Sequence, residues 1–512
     1  MIKRGIYYGR LFFGAGVAFA FAWPCLAEVV PAALFTDHAV LQRDMPLPVW
    51  GRANPRDAVR VEFAGQAQET RADAAGRWLV RLGPVSAPGP HVMKITGPDN
   101  TVAISDVLAG EVWLCSGQSN MRFPLSKAAG GREAAAAAGN PQLRLFDVPL
   151  VPSRQPACDV AGAWKRCEPA TATDFSAVAY YFGAQLQKAL GCPVGLIHSS
   201  WGGTVAKSWM PLEALRADPR FDVMMEREQE RLEKLPETKN KYERDRAAWA
   251  KRREKNPATA GPAPVFHDAA SKAAPAHLYN GMIHPLIPYA MRGVAWYQGE
   301  SNRTSPAQYG IHLPELIKSW RSAWGQDDPR FGTDYPFLIV QIANYLERKD
   351  DPNLRSPWAE IREVQRLTAL ATPNTALVVA IDLGEAGNIH PANKPDVGKR
   401  LALAAERLAY GHDVVASGPS VRDVKWAASE VTVSFDNAEG GLVSHGALAG
   451  FALAGSDGKF FNAEAMMSAD AVVVSSKHVR KPDKVRYLWA DNPRASLYNK
   501  QGLPASPFEV RR

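Results

Sequence analysis

Cysteine is scarce in this chain, five in 512 residues, and no Cys/His spacing matches a zinc site. A clustered carboxylate/His pattern is also missing, which speaks against a metal-dependent hydrolase or phosphodiesterase. Charge of one sign is in short supply. Lys and Arg total 60 against 52 Asp and Glu, a net of +8 that is small for this length and argues for no nucleic-acid partner. Beyond the N-terminus no apolar run is long enough to cross a bilayer. No internal repeat has a clear period. With 46% apolar and 22% charged residues, the composition excludes a disordered or fibrous chain. What is slightly abundant is Gly (40) and Pro (39), which suits turns and β-structure.

The N-terminus follows the grammar of a secretory signal peptide. Lys3, Arg4 and Arg10 precede an apolar run over 11–22, and Cys25-Leu26-Ala27 is a small-x-small pattern before Glu28. The uncharged stretch 11–27 is at the short end of the spanning range and Pro24 breaks it, against a membrane anchor. Bulky Trp23 and Pro24 before Cys25 argue against a lipoprotein. Residues 1–27 are therefore expected to be removed, giving an exported protein, periplasmic or secreted, with no membrane attachment. Losing three basic residues lowers the charge to about +5. Cys158 and Cys167 lie in a Pro-rich, polar stretch, where an oxidising compartment would favour a short-loop disulfide. Cys115 and Cys192 border strands and read as small buried hydrophobes.

Three blocks follow. In 28–106, short runs of period two (58–63, 78–82, 91–95) recur between turn signals, predicting an antiparallel β-sandwich. In 107–411, apolar strands (111–115, 194–197, 294–297, 337–340, 376–381) alternate with helices. Ser176 caps one helix that ends at Gly191, Ser356-Pro357 opens another, and Asp396 is expected to cap the last. Strands this apolar are buried on both faces, which implies a parallel sheet covered by helices. Within this block, 211–276 changes character: 225–255 is dense in Glu, Lys and Arg and predicts a solvated helical insertion. The block 412–512 returns to alternation, as in 431–435, and predicts a second β-rich region.

Sites in open parallel sheets form at the carboxyl ends of the strands. There the chain places Gly117-Gln118-Ser119-Asn120-Met121, then His198-Ser199-Ser200-Trp201-Gly202-Gly203-Thr204, then Gln298-Gly299-Glu300-Ser301-Asn302, and finally a loop from Asp382 to His390-Pro391. A serine, a Gly-rich turn, an amide-rich turn and a histidine are the parts of acyl transfer through a serine nucleophile. Met121 stands where Gly-x-Ser-x-Gly requires glycine, which argues against an α/β-hydrolase elbow.

Gly117-Gln118-Ser119-Asn120-Met121, Tyr297-Gln298-Gly299-Glu300-Ser301-Asn302, and Ile389-His390-Pro391 with Lys394 together resemble the sialate O-acetylesterase family of the SGNH hydrolases. Leu497-Tyr498-Asn499 and Gly502-Leu503-Pro504 extend the likeness towards the C-terminus. The resemblance implies a flavodoxin-like three-layer α/β/α domain flanked by β-sandwich-type domains. It also implies a cofactor-free carboxylic ester hydrolase that removes acetyl groups from sugars. Ser119 would be the nucleophile and His390 the base. The N–H groups of Ser119 and of Gly202 or Gly203 would line the oxyanion hole, with Gln298, or else Asn302, adding a side-chain amide. Glu300 would orient Gln298 or a nearby loop. The family pattern departs at the third triad member: Gly387 stands three residues before His390, leaving Asp382, Glu385 or a plain dyad. Trp201 and Trp209 are candidates to floor the site or stack on a sugar, Trp113 to pack in the core, and Arg122 either to meet an anionic sugar or to pair with a surface carboxylate. The substrate would be an O-acetylated sialic acid, a xylan fragment or another glycan. A non-catalytic carbohydrate-binding protein is the competing class.

Overall fold

The computed structural model describes residues 28–257, 260–264 and 270–512, so the expected signal peptide lies outside it. Alternation builds the N-terminal strands. Ala58–Phe63 buries Val59, Val61 and Phe63, and Arg77–Leu82 buries Trp78, Val80 and Leu82, every second residue facing one core. Leu47–Arg52 pairs antiparallel with Arg77–Leu82, while Ala58–Phe63 pairs with Gln66–Arg71 and His91–Thr96.

One strand joins this unit to the next. Thr101–Gly117 begins as the antiparallel partner of His91–Thr96, then runs parallel to Val40–Gln42, and ends between Val194–Ser200 and Gly293–Tyr297, parallel to both. Residues 106 and 107, the expected division between blocks, thus lie inside a continuous strand. Around it the large sheet has the order Lys165–Cys167, Asn140–Asp147, Val194–Ser200, Thr101–Gly117, Gly293–Tyr297, Phe337–Val340, Thr375–Val378. Neighbours are parallel except at the Lys165–Cys167 edge. Gly117 stands in register with both Ser200 and Tyr297, so three strands end level.

Successive residues of these strands enter different cores. Val112, Leu114, Ile197, Val294 and Trp296 pack with helices Pro306–Trp324 and Pro357–Ala371, in a core shared with the N-terminal strands. Trp113, Cys115, Leu196, Ala295 and Tyr297 pack with Ala177–Leu190 and Lys394–Tyr410. Ser176 caps Ala177–Leu190 through the N–H of Ala179, and Gly191 ends it at φ 63°. The last of these helices starts earlier than expected. Asn393, not Asp396, is its cap, and the Asn393 side chain accepts the N–H of Asp396. The charged insertion forms helices Asp222–Glu233 and Leu235–Lys255, and neither buries a residue. No described helix is long and apolar enough to cross a membrane.

In the C-terminal block, Glu430–Asp436 and Ala471–Ser475 belong to one four-stranded sheet, Phe451–Ala454 and Lys484–Tyr487 to another. Val433, Phe451, Val472, Val485 and Phe508 share a core that also takes in Val379 and Ile381 from the segment leading to His390. The expected Cys158–Cys167 bridge is not formed. Cys167 is buried on the edge strand, Cys158 is exposed, and both are free thiols, as are buried Cys115 and Cys192.

Candidate active site

The level strand ends bring four loops together. At the end of Thr101–Gly117, Gly117 takes φ 136°, and a Cβ there would lie 2.1 Å from the Tyr297 carbonyl oxygen, so glycine is required. The chain then turns into the short helix Ser119–Arg122. Ser119 Oγ lies 2.8 Å from His390 Nε2, in position to donate its proton. Gly202 packs against this serine: a Cβ on Gly202 would stand 3.2 Å from Ser119 Cβ. The N–H groups of Ser119, Gly202 and Gly203 have no acceptor among the described residues. Both Ser119 and His390 are half-buried. Burial, and then the charge of Lys394, hold the His390 imidazole below its ordinary pKa.

The histidine loop is fastened by its own side chains. Asn388 Oδ1 accepts the N–H of His390 at 3.0 Å, and Asn388 Nδ2 donates to the His390 carbonyl at 2.9 Å. Glu385 accepts from Asn388 Nδ2 at 3.1 Å and from the N–H of Ala392 at 2.8 Å. Glu385 therefore closes the loop and makes no bond to the imidazole. Asp382 is turned elsewhere: Arg400 grips both its oxygens, at 2.7 and 2.8 Å. The expectation that either acid orients His390 is corrected on this geometry. Among the described residues, Nδ1 of His390 has no partner.

Gln298 also serves a different end. Its Nε2 faces the Thr204 carbonyl at 3.1 Å, Asn302 Oδ1 at 2.7 Å and Gln118 Oε1 at 3.3 Å. A carbonyl oxygen only accepts, and Asn302 Oδ1 also takes the N–H of Ala206, so the nitrogen must point this way. Two N–H groups meeting three acceptors leave none for an oxyanion. Gln298 and Asn302 fasten loops, and the expected side-chain amide in the hole is not found there.

Beneath Ser119 lies a buried polar cluster. Asn120 Nδ2 donates to Glu300 Oε1 at 2.5 Å and to the Ile389 carbonyl at 3.1 Å, while Lys394 Nζ donates to Asn120 Oδ1 at 2.6 Å. Asn120 thus ties the residue after the serine to the residue before the histidine. Burial pushes Lys394 down to about 7, against the pull of Glu300 and Glu385, and pushes Glu300 up, against its bond from Asn120 and the charge of Lys394. Glu300 therefore holds Asn120, not Gln298.

Arg122 Nη1 donates to the Ser200 carbonyl at 3.1 Å, tying the serine helix to the Gly-rich turn. Trp201 is half-buried beside that turn, whereas Trp209 is fully buried, edge-on to Trp296, and cannot stack on a sugar. His198 contacts Asp147 at 2.7 Å and Ser200 Oγ at 2.6 Å, a triad-like set. Ser200 is fully buried, so this set braces the turn and offers no nucleophile. His198, Asp147 and Asn120 stand at or next to strand ends and Lys394 opens a helix, but nothing in the sequence pairs them.

The sequence pattern of carbohydrate esterases described as sialic acid-specific acetylesterases matches residues 268–407, a span that includes Gln298, Glu300, His390 and Lys394. A carbohydrate acetylesterase from Xanthomonas citri superposes with a TM-score of 0.79 at 38% identity, over 94% of this chain and 99% of that one. The human sialate O-acetylesterase is 30% identical over 78% of this chain and 72% of its own length. The mouse sialate O-acetylesterase is 31% identical over 84% of this chain and 82% of its own length, and on that likeness the chain belongs to the sialate O-acetylesterase family.

Proposed function

We propose that the protein is a serine-dependent O-acetylesterase that removes acetyl groups from carbohydrate through a Ser119–His390 dyad. The 2.8 Å approach of Ser119 Oγ to His390 Nε2 carries this reading. His390 takes the serine proton as Oγ attacks the acetyl carbonyl carbon. The oxygen turns anionic beside the free N–H groups of Ser119 and of Gly202 or Gly203. Collapse expels the sugar oxygen, which recovers the proton from His390. Water, deprotonated by the same imidazole, then attacks the acetyl-serine, and as acetate departs His390 returns that proton to Ser119 Oγ. Burial and then the charge of Lys394 lower the imidazole pKa, so the neutral, basic form extends to lower pH than in a free histidine.

An SGNH-type three-layer domain fits the sheet with helices lining both cores and a site at the strand ends. Sialic acid is the favoured sugar, since the relatives bear that name; acetylated xylan and other glycans are the alternatives. Export to the periplasm or medium follows from residues 1–27 and belongs to the same reading.

Hydrolysis of a chromogenic acetate ester tests the chemistry. Ser119→Ala and His390→Ala should each lose about 10³-fold or more in kcat. Near-normal turnover by purified Ser119→Ala overturns the mechanism. Acetylated sialic acids and acetylated xylo-oligosaccharides, compared by kcat/KM, then decide the sugar.

A further inference from the structure

The turn that follows Val194–Ser200 is gripped from behind by two side chains. Thr204 Oγ1 donates to the Trp201 carbonyl at 2.8 Å and in turn accepts Trp209 Nε1–H at 3.0 Å. Lys272 Nζ donates to the Gly202 carbonyl at 2.7 Å and stands 5.8 Å from the centre of the Trp201 ring. The N–H groups that share these two peptide units are those of Gly202 and Gly203, and both are free of acceptors among the described residues.

A trans peptide points its C=O and its N–H to opposite sides. Holding the carbonyl therefore aims the amide. The need for a hold is greatest at the Gly202–Gly203 peptide. No Cβ on either flank hinders rotation of its plane, and Gly203 already sits at φ 72°. A reversed plane would put a carbonyl dipole where a donor belongs, next to a developing negative charge. An ammonium on the carbonyl also polarises the peptide, which strengthens its N–H as a donor.

We propose that Lys272 is a positioning residue for the oxyanion hole, holding the Gly202–Gly203 peptide so that the Gly203 N–H is presented to the substrate oxygen. The proposal rests on the esterase reading above and deepens it. It chooses Gly203 over Gly202 as the donor reinforced by charge. It also gives the insertion a part in catalysis. The helical hairpin is solvated, and the segment behind it returns to deliver one partly buried cation to the site.

The test compares Lys272→Met and Lys272→Arg with wild type and Ser119→Ala. The readouts are chromogenic acetate hydrolysis and inhibition by a trifluoromethyl ketone, whose adduct with serine carries an oxyanion. Lys272→Met should lose about 10- to 100-fold in kcat with KM within about threefold, less than deletion of a whole oxyanion donor costs. Ketone binding should weaken by the same factor, and Lys272→Arg should recover most of both. Thermal unfolding of Lys272→Met matching wild type supports a local effect. Lys272→Met turnover within about threefold of wild type, with Ser119→Ala dead, overturns the proposal and leaves the esterase reading intact. So does a fall in kcat without matching loss of ketone binding, or one that arginine does not rescue. An active Ser119→Ala would instead remove the reading on which the proposal rests.

Discussion

A histidine acts as a base only while its imidazole is neutral. His390 binds its proton less tightly than a free imidazole, because of burial first and Lys394 second. The acid limb of kcat/KM should thus lie below the ordinary histidine value of about 6.5. Lys394→Met removes one of the two depressing causes, so the limb should move to higher pH. A pH profile of the variant checks this, and an unmoved limb would count against the assignment. Asp382→Asn bears on a different role. It breaks the two-pronged grip of Arg400, so it should cost about 1–3 kcal/mol in denaturant unfolding while leaving kcat within about fivefold of wild type. Ser119 and His390 could be read from the chain because strand ends, a Gly-rich turn and chain order confine them. Asp382 misled because the partner that claims it, Arg400, lies on a helix beyond the histidine, and loop spacing carries no trace of that competition. Gln298 misled likewise, since the oxygens that consume its amide come from three loops.

Helices in this fold announce their ends. Ser176, Gly191 and Ser356 all stand where the chain indicates, because a cap is a local hydrogen bond between near neighbours. Ser176 does more than cap: its hydroxyl also donates to the Met121 carbonyl at 2.5 Å, pinning the serine helix. Ser176→Ala should lower stability by about 1–2 kcal/mol, measured by denaturant unfolding, through loss of both bonds. Gly117→Ala should be far worse, with loss of soluble, active protein in expression trials, since its Cβ would overlap a strand carbonyl at an unfavourable φ. The helix Lys394–Tyr410 begins earlier than expected because Asn393 satisfies the N–H of Asp396, leaving Asp396 inside the first turn. The strand Thr101–Gly117 is less plainly marked in the sequence. It alternates between exposed and buried at first and is wholly buried later, so its change of pattern imitates a boundary.

Strands buried on one face, strands buried on both faces and a solvated charged insertion are legible because each leaves a distinct composition. How the blocks meet is not, because the shared cores and single side chains that join them come from residues far apart in the chain. Arg362 is fully buried and donates to the carbonyls of Ile342, Ala343, Ala490 and Asp491, clasping the C-terminal unit to the helix Pro357–Ala371. Arg362→Met would leave those carbonyls unpaired, so unfolding should cost about 3 kcal/mol less. Because Val379 and Ile381 sit in the C-terminal core just ahead of the histidine loop, turnover should vanish in the same transition. Activity and fluorescence followed together across a denaturant series test this, and activity outlasting the C-terminal unit would contradict it.

The strand that leads to Ser119 has a consequence for inheritance. Its first half is a rung of the N-terminal sandwich and its last half the centre of the large sheet. The antiparallel ladder with His91–Thr96 ends at Val107 and the pairing with Val194–Ser200 begins at Glu111, so a recombination that trades the sandwich has to join the chain in register within those few residues. A new N-terminal unit is thereby grafted onto the rail that carries the serine, although the last seven residues of that rail are held by the large sheet alone.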